Sequence, residues 1–180
     1  RSRMVTFFKA AENIGYSKED WSGAVSFWLQ LDPAKDLESG YCDPIQITDA
    51  NYNDAALWVD FTKENPRDFR LGVLGDIEIW NPEKLGPDEN PDYLRRLVTV
   101  KQPPFKRGEW THVVINFSGL NTENGSSELF VNGESKGKVP PIEDPFTWDE
   151  KKANILLGLS YIGLFDELSV FNRPLSTDEV

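Results

Sequence analysis

The chain has 180 residues and a formal net charge of −11, from 19 Lys+Arg against 30 Asp+Glu. That length suits one domain with one core, and the charge disfavours nucleic acid and anionic lipid, which both need clustered basic residues. A single Cys (Cys42) excludes an internal disulfide or cysteine zinc cluster, and a single His (His112) excludes a multi-histidine metal site. No apolar run is long enough for a membrane span or a signal peptide. With Arg1 rather than Met first, residues 1–180 are expected to be one domain of a larger polypeptide.

Period-two alternation dominates, so strands are expected throughout. Val5–Phe8 is a first short strand. Ser17–Trp21 suits one turn of helix. Gly23–Leu31 puts Val25, Phe27, Leu29 and Leu31 on one face and Ser26, Trp28 and Gln30 on the other. Pro44–Thr48, Leu57–Phe61, Phe69–Leu74, Asp76–Trp80 and Leu97–Lys101 read as further strands. Trp110–Ser118 alternates most clearly, with Thr111, Val113, Ile115 and Phe117 on one side. Asn132-Gly133 between Glu128–Asn132 and Glu134–Lys138 is a hairpin signal. Asn154–Leu159 and Ile162–Phe171 complete the set, and Ser176–Glu179 fits a capping box. So many short strands separated by turn residues predict an all-β sandwich or barrel. Residues 81–93, with three Pro and four acidic residues, and the Pro-rich 139–150, with Phe146 and Trp148, are expected as long loops.

Several segments resemble a known family. Arg107–Val114 (RGEWTHVV) is similar to the W-x-H-V strand of bacterial laminin-G-like domains. Glu128–Gly133 (ELFVNG) is similar to that family's L-Y-V-D/N-G hairpin. Gly163–Ser176 (GLFDELSVFNRPLS), with the Glu179-Val180 tail, resembles its closing signature, and Ala24–Leu29 (AVSFWL) fits its T-I-S-x-W-V strand. The middle, about residues 40–105, matches no motif. The resemblance implies a concanavalin A-like jelly-roll β-sandwich of two antiparallel sheets over residues 1–180. It also implies a non-catalytic, lectin-like carbohydrate-binding module of a larger secreted or envelope (periplasmic) bacterial protein. Its partner would be a glycan or protein ligand, together with other domains of the parent polypeptide. The alternatives are a protein-interaction or spacer module without a sugar site and, more remotely, an atypical polysaccharide hydrolase.

Asp166 shares the apolar register of Ile162, Leu164, Leu168 and Val170, which points it at the core, where a carboxylate needs a partner. Related jelly rolls often hold a structural Ca²⁺ through an Asp at this place. By that analogy Glu12 and Gly15, in the Glu12–Gly15 turn, are candidate co-ligands. The alternative is that Asp166 caps backbone N–H groups or pairs with an Arg. Catalysis has little support. Hydrolases of this fold place their carboxylates in E-x-D-x-x-E, and no Glu here has Asp two residues later. Asp76 and Glu78 are the nearest substitute and read as a solvated strand face. His112 is expected as a packed, hydrogen-bonded core side chain, and Cys42 as a small buried or semi-buried one.

Sugars are held by aromatic faces and planar polar groups. Trp21, Tyr52, Trp58, Trp80, Trp148 and Tyr161 stand at loops or strand ends. Asp49, Asn51, Asn53 and Asp54 surround Tyr52 in TDANYND, a cluster that also suits a cation. The competing reading is that these aromatics pack under loops. Trp28 and Trp110 are expected in the core. The net charge disfavours sulfated or uronic polysaccharides unless Ca²⁺ bridges them.

Overall fold

The computed structural model describes residues 6–141 and 145–180. Among them, eleven strands form two antiparallel sheets, as the alternation predicts. The strands are β1 (Thr6–Lys9), β2 (Trp21–Gln30), β3 (Cys42–Thr48), β4 (Ala56–Phe61), β5 (Phe69–Leu74), β6 (Leu97–Val100), β7 (Thr111–Leu120), β8 (Ser126–Val131), β9 (Glu134–Val139), β10 (Asn154–Leu159) and β11 (Leu164–Phe171). The six-stranded sheet runs β1-β10-β3-β4-β5-β6, and the five-stranded sheet runs β11-β2-β7-β8-β9. The order jumps along the chain, so each sheet is completed by distant segments, as in a jelly-roll sandwich.

The core lies between the sheets. Val25, Phe27 and Leu29 of β2 and Val113, Ile115 and Phe117 of β7 meet Ile45 and Ile47 of β3, Leu57, Val59 and Phe61 of β4 and Leu71 and Val73 of β5. At one end an aromatic cluster closes it. Trp148 packs on Tyr16 and Trp21, their ring centroids each 4.8 Å away, and Trp21 also meets Phe117 and Phe146. Each polar tip finds a backbone acceptor: Trp21 Nε1 donates to Ile14 O (3.1 Å), Tyr16 Oη to Phe146 O (2.9 Å) and Trp148 Nε1 to Ala55 O. A buried aromatic keeps its apolar gain only if its polar tip is so satisfied. The segment expected as a loop over 139–150 therefore delivers two core side chains; its residues 142–144 lie outside the described residues.

The Asn132-Gly133 hairpin is present, with both residues at positive φ (52° and 77°), as a two-residue turn between right-twisted strands requires. The capping-box residues also pair: the Glu179 carboxylate accepts the Ser176 N–H (2.9 Å) and both fork nitrogens of Arg173.

Several expectations change. Asp76–Trp80 is not a strand. Asp76 caps a short helix (Ile77–Trp80), its Oδ1 accepting Glu78 N at 2.9 Å, so Asp76 and Glu78 share no strand face. Residues 81–93 are not an open loop, because a 3₁₀ turn (Pro87–Glu89) and a further short helix (Pro91–Leu94) fold them back, burying Tyr93. Ser17–Asp20 forms no helical turn, Lys18–Asp20 being bends, and Trp21 begins β2. Trp28 and Trp110 are not in the core: Trp28 is half-buried and Trp110 is 41% exposed on the outer side of the five-stranded sheet.

Asp166 does not point inward either. The β11–β2 register shifts between Asp166 and Ser169, and Glu167 takes a left-handed φ of 50°. Such a bulge inserts a residue and reverses which side chains face in. Phe165 packs against Phe27 (5.1 Å, stacked), Leu168 and Val170 join the core, and Asp166 is exposed.

Candidate functional site

The middle strands of the six-stranded sheet are buried on both faces. All six residues of β4 are buried, although only Leu57, Val59 and Phe61 face the other sheet. Their neighbours Ala56 and Trp58 join Leu74, Trp80 and Tyr93 in a second apolar cluster on the outer face, under the 75–96 segment. Beside this cover the outer face stays open as a cavity of about 340 Å³ lined by Tyr41, Asp43, Tyr52, Trp58, Asp60, Lys63, Arg70, Pro87 and Tyr93. That volume lies at the lower end of the usual range for ligand clefts.

The floor of the cavity is rigid. Trp58 is 2% exposed and donates its Nε1 proton to Tyr52 O at 2.6 Å, which ties it to the 48–54 turn. Gly72, opposite it on β5, makes room for the ring. Asp60 and Arg70 face each other across β4 and β5. Arg70 Nε donates to Asp60 Oδ1 at 2.8 Å and its Nη2 to Oδ2, a two-point grip. The same guanidinium lies 5.2 Å from the Tyr41 ring centroid and 5.5 Å from that of Trp58. Lys63 sits 5.8 Å from the Tyr41 ring and 3.7 Å from a Glu64 carboxylate oxygen.

Above this floor stand two exposed aromatics, Tyr41 and Tyr52, each 41% exposed. Asp43 lies where the β3–β4 register is interrupted between Cys42 and Ile45. Burial foremost, then the neighbouring Asp60 charge, pushes its carboxyl up to about 7, against the opposing pull of Arg70. Burial likewise raises Asp60, against its bonds to Arg70, and Tyr93. The cavity thus offers two ring edges or faces, a carboxyl that exchanges its proton near neutrality, and a locked ion pair.

Of the sequence-predicted binding residues, Tyr52 and Trp58 come together here, Tyr52 as a wall and Trp58 as floor. Asp49 and Asn51 flank the same turn without lining the cavity; Asp49 accepts the Asp149 N–H (2.7 Å), and Asn51 O accepts from Thr48 Oγ1 (3.2 Å). Trp80, 4% exposed, packs beneath the covering segment with the Arg96 guanidinium 5.6 Å from its ring. Trp148 and Trp21 belong to the core cluster and are closed to any ligand. Tyr161 packs against the core from the turn after β10 and donates to Leu164 O (3.0 Å), away from the cavity. Tyr41, Asp43, Asp60, Lys63, Arg70, Pro87 and Tyr93 were not singled out in the sequence; Asp43, Asp60 and Arg70 carry one signal, a charge embedded in an otherwise apolar strand, and the other four carry none.

The calcium ligands do not fit together. Glu12 is exposed on a short helix (Ala10–Asn13), and a Cβ at Gly15 would lie 3.6 Å from the Asn172 Cβ. Asp166 pairs with Trp28, whereas Phe171, beside Asn172, pairs with Ala24. Trp28 and Ala24 are four residues apart on β2, so at ~3.4 Å per residue the two ends of this stretch are on the order of 14 Å apart. The described residues contain no group of three His, Cys, Asp or Glu placed to hold a metal.

Asp166 instead borders a second hollow of about 250 Å³, with Trp28, Trp110 and Glu167, outside the five-stranded sheet. His112 stacks on Trp28 (4.6 Å, 23°) and hydrogen-bonds Ser26 Oγ at 2.7 Å, so it is packed and hydrogen-bonded, but on the outer face and not in the core as expected. Burial lowers its pKa. Cys42 is fully buried; burial raises its thiol pKa despite Arg67 Nη1 at 3.9 Å.

A two-sheet antiparallel sandwich with a partly covered aromatic cleft on one outer face defines a lectin-like β-sandwich. The chain belongs to the concanavalin A-like lectin/glucanases superfamily, whose Laminin_G_3 family matches residues 17–180. No match is found among curated protein sequences. Among solved structures, the chain is similar to domain 4 of an extracellular arabinanase from Geobacillus stearothermophilus, determined with arabinotriose. Identity is 18%, coverage 93% of this chain and 68% of that one, and the TM-score 0.51. It is similar to the CBM40 of the Ruminococcus gnavus IT-sialidase bound to α2,3-sialyllactose (14% identity, 90% and 82% covered, TM-score 0.57). It is also similar to the botulinum neurotoxin serotype D binding domain (16% identity, 99% and 39% covered, TM-score 0.61). At these identities the likeness is one of fold.

Proposed function

We propose that this domain is a non-catalytic carbohydrate-binding module of a secreted or envelope protein, and that the glycan lies in the cleft on the six-stranded sheet. The observation that carries this reading is the pairing of two exposed tyrosines, Tyr41 and Tyr52, over a fixed polar floor of Asp43, Asp60 and Arg70. Tyrosine rings cover the apolar faces of a sugar, and carboxyl and guanidinium groups satisfy its hydroxyls. Structures of similar fold bound to arabinotriose and sialyllactose support the same use. Catalysis fits less well. Glycoside hydrolysis needs two working carboxyl groups, and both Asp60 oxygens are taken by Arg70, leaving Asp43 alone among the cleft's carboxyls.

The test is a glycan array followed by calorimetric titration of the best binder, with wild type and a Tyr41→Ala/Tyr52→Ala variant. Binding that disappears in a folded variant supports the reading; binding that persists unchanged refutes the assignment of the cleft. A second reading, contact with another protein, is favoured by one observation. Trp110 lies 41% exposed at the hollow with Trp28, Asp166 and Glu167, on the opposite side of the sandwich. Interfaces centre on such aromatic side chains.

A further inference from the structure

The sialyllactose-bound neighbour raises a choice that the cleft's own charges decide. An acidic sugar is recognised where an arginine fork is free to grip its carboxylate in two parallel bonds. Here the only arginine lining the cleft has that fork occupied. Nε and Nη2 of Arg70 are both held by Asp60, on the neighbouring strand, with side chains only 12% and 6% exposed. The guanidinium also lies 5.2 Å and 5.5 Å from the Tyr41 and Trp58 ring centroids, so swinging to another acid would break both bonds to Asp60 and both ring contacts. Lys63, the other cation, stands beside Glu64. The charged lining groups are thus Asp43 and Asp60 against Lys63 and Arg70, with no surplus of positive charge. A carboxylate entering the cleft would approach Asp43 and Asp60 and find no free two-point fork in return, only Nη1 of the already paired Arg70 and Lys63 beside Glu64. Like-charge contact of this kind rejects a ligand as effectively as a clash.

Resting on the carbohydrate reading, we infer that the cleft selects neutral sugars and excludes acidic ones, with the Asp60–Arg70 pair as the selecting device. Nη1 of Arg70 keeps its donors, now on a charge-neutralised group, and suits a hydroxyl. Asp43 offers a second hydroxyl partner in either protonation state, as acceptor when ionised and as donor when protonated.

The experiment titrates wild-type protein at pH 7.5 with matched pairs: lactose against 3′-sialyllactose, and neutral arabino-, xylo-, gluco-, manno- and galacto-oligosaccharides against oligogalacturonate and oligoglucuronate. Neutral members are expected to bind at least tenfold tighter than their acidic counterparts, with little dependence on NaCl. In Asp60→Asn the fork is released and the ratio should narrow at least fivefold. Should that variant not fold, the wild-type ratios and salt dependence decide the matter alone. Acidic members binding equally or more tightly, with loss in Tyr41→Ala/Tyr52→Ala, would overturn the selectivity while leaving the cleft a sugar site. A folded Asp60→Asn with an unchanged ratio would remove the ion pair as its cause. Silence from the whole panel, neutral and acidic, would instead overturn the carbohydrate reading itself.

Discussion

Gly72 leaves the space that Trp58 fills: a Cβ at position 72 would lie 2.2 Å from Cζ2 of the indole. The two residues are direct cross-strand partners, so the missing side chain on β5 lets the ring on β4 lie down over the sheet. No unusual backbone is involved; the demand is for room. Gly72→Ala should therefore destabilise by about 1–3 kcal/mol through overpacking, and the displaced indole should disturb the Tyr52 carbonyl it holds. Urea unfolding gives the first effect, and glycan titration the second.

The two wall tyrosines should separate binding from folding. Tyr41→Ala and Tyr52→Ala remove exposed rings, so each should cost well under ~1 kcal/mol of stability. The stacking area lost should weaken glycan binding by about 1–2 kcal/mol per ring, near tenfold in affinity. Trp58→Ala, by contrast, removes a buried indole and should cost about 3–5 kcal/mol of stability. Thermal melts and calorimetry on the same three variants check the contrast.

Asp43 predicts a pH dependence with a definite sign. Its folded pKa, near 7, lies above the ordinary 3.8, so the folded domain holds a proton that the unfolded chain has released. Stability from this group is complete below about pH 4 and falls as pH rises through 7. Asp43→Asn removes the titration. The variant should melt higher than wild type at pH 8 and close to it at pH 4, and melting curves across that range test the crossing.

Trp148 was a candidate for sugar binding and is instead the centre of the closing aromatic cluster. Trp148→Ala should cost about 3–5 kcal/mol, strand the Ala55 carbonyl it bonds, and lower protein yield. A variant of unchanged stability would show that the cluster does not hold the sandwich shut.

Asp166→Asn should change stability by less than ~0.5 kcal/mol, since the side chain is exposed and takes only the N–H of Glu167 (2.8 Å). The separation of Asp166 from Glu12 and Gly15 also predicts that any effect of Ca²⁺ or EDTA on the melting temperature is the same in wild type and Asp166→Asn. A Ca²⁺ shift lost in the variant would restore Asp166 as a ligand.

The sandwich was legible wherever one strand face met the core and the other met solvent or a polar neighbour. Val25, Phe27 and Leu29, and likewise Val113, Ile115 and Phe117, alternate for that reason. The cleft was less legible for the same physics. In β3, β4 and β5 the second face is also covered, so Ala56-Leu57-Trp58-Val59-Asp60-Phe61 carries no alternation that would mark Asp60 as pointing at anything. The partner that gives Asp60 meaning, Arg70, lies on the next strand, and register between strands is not written locally. Tyr52 stands out because an aromatic in a turn is visible without register, whereas Trp58, expected at a loop or strand end, lies inside β4 between Gln46 and Gly72. Asp166 failed differently: one bulge, at Glu167, inverted the faces that simple counting assigns.

The anchoring of the cleft floor has a consequence for the kinetics of capture. Trp58 is pinned by Gly72 and the Tyr52 carbonyl, and Arg70 by Asp60 and two rings. None of these side chains has rotamer freedom left to surrender when a ligand arrives, so the usual ordering cost of about 0.5–1.5 kcal/mol per long side chain falls away there. Association should then be a single-step encounter without slow rearrangement, and differences between related ligands should lie in how long each stays.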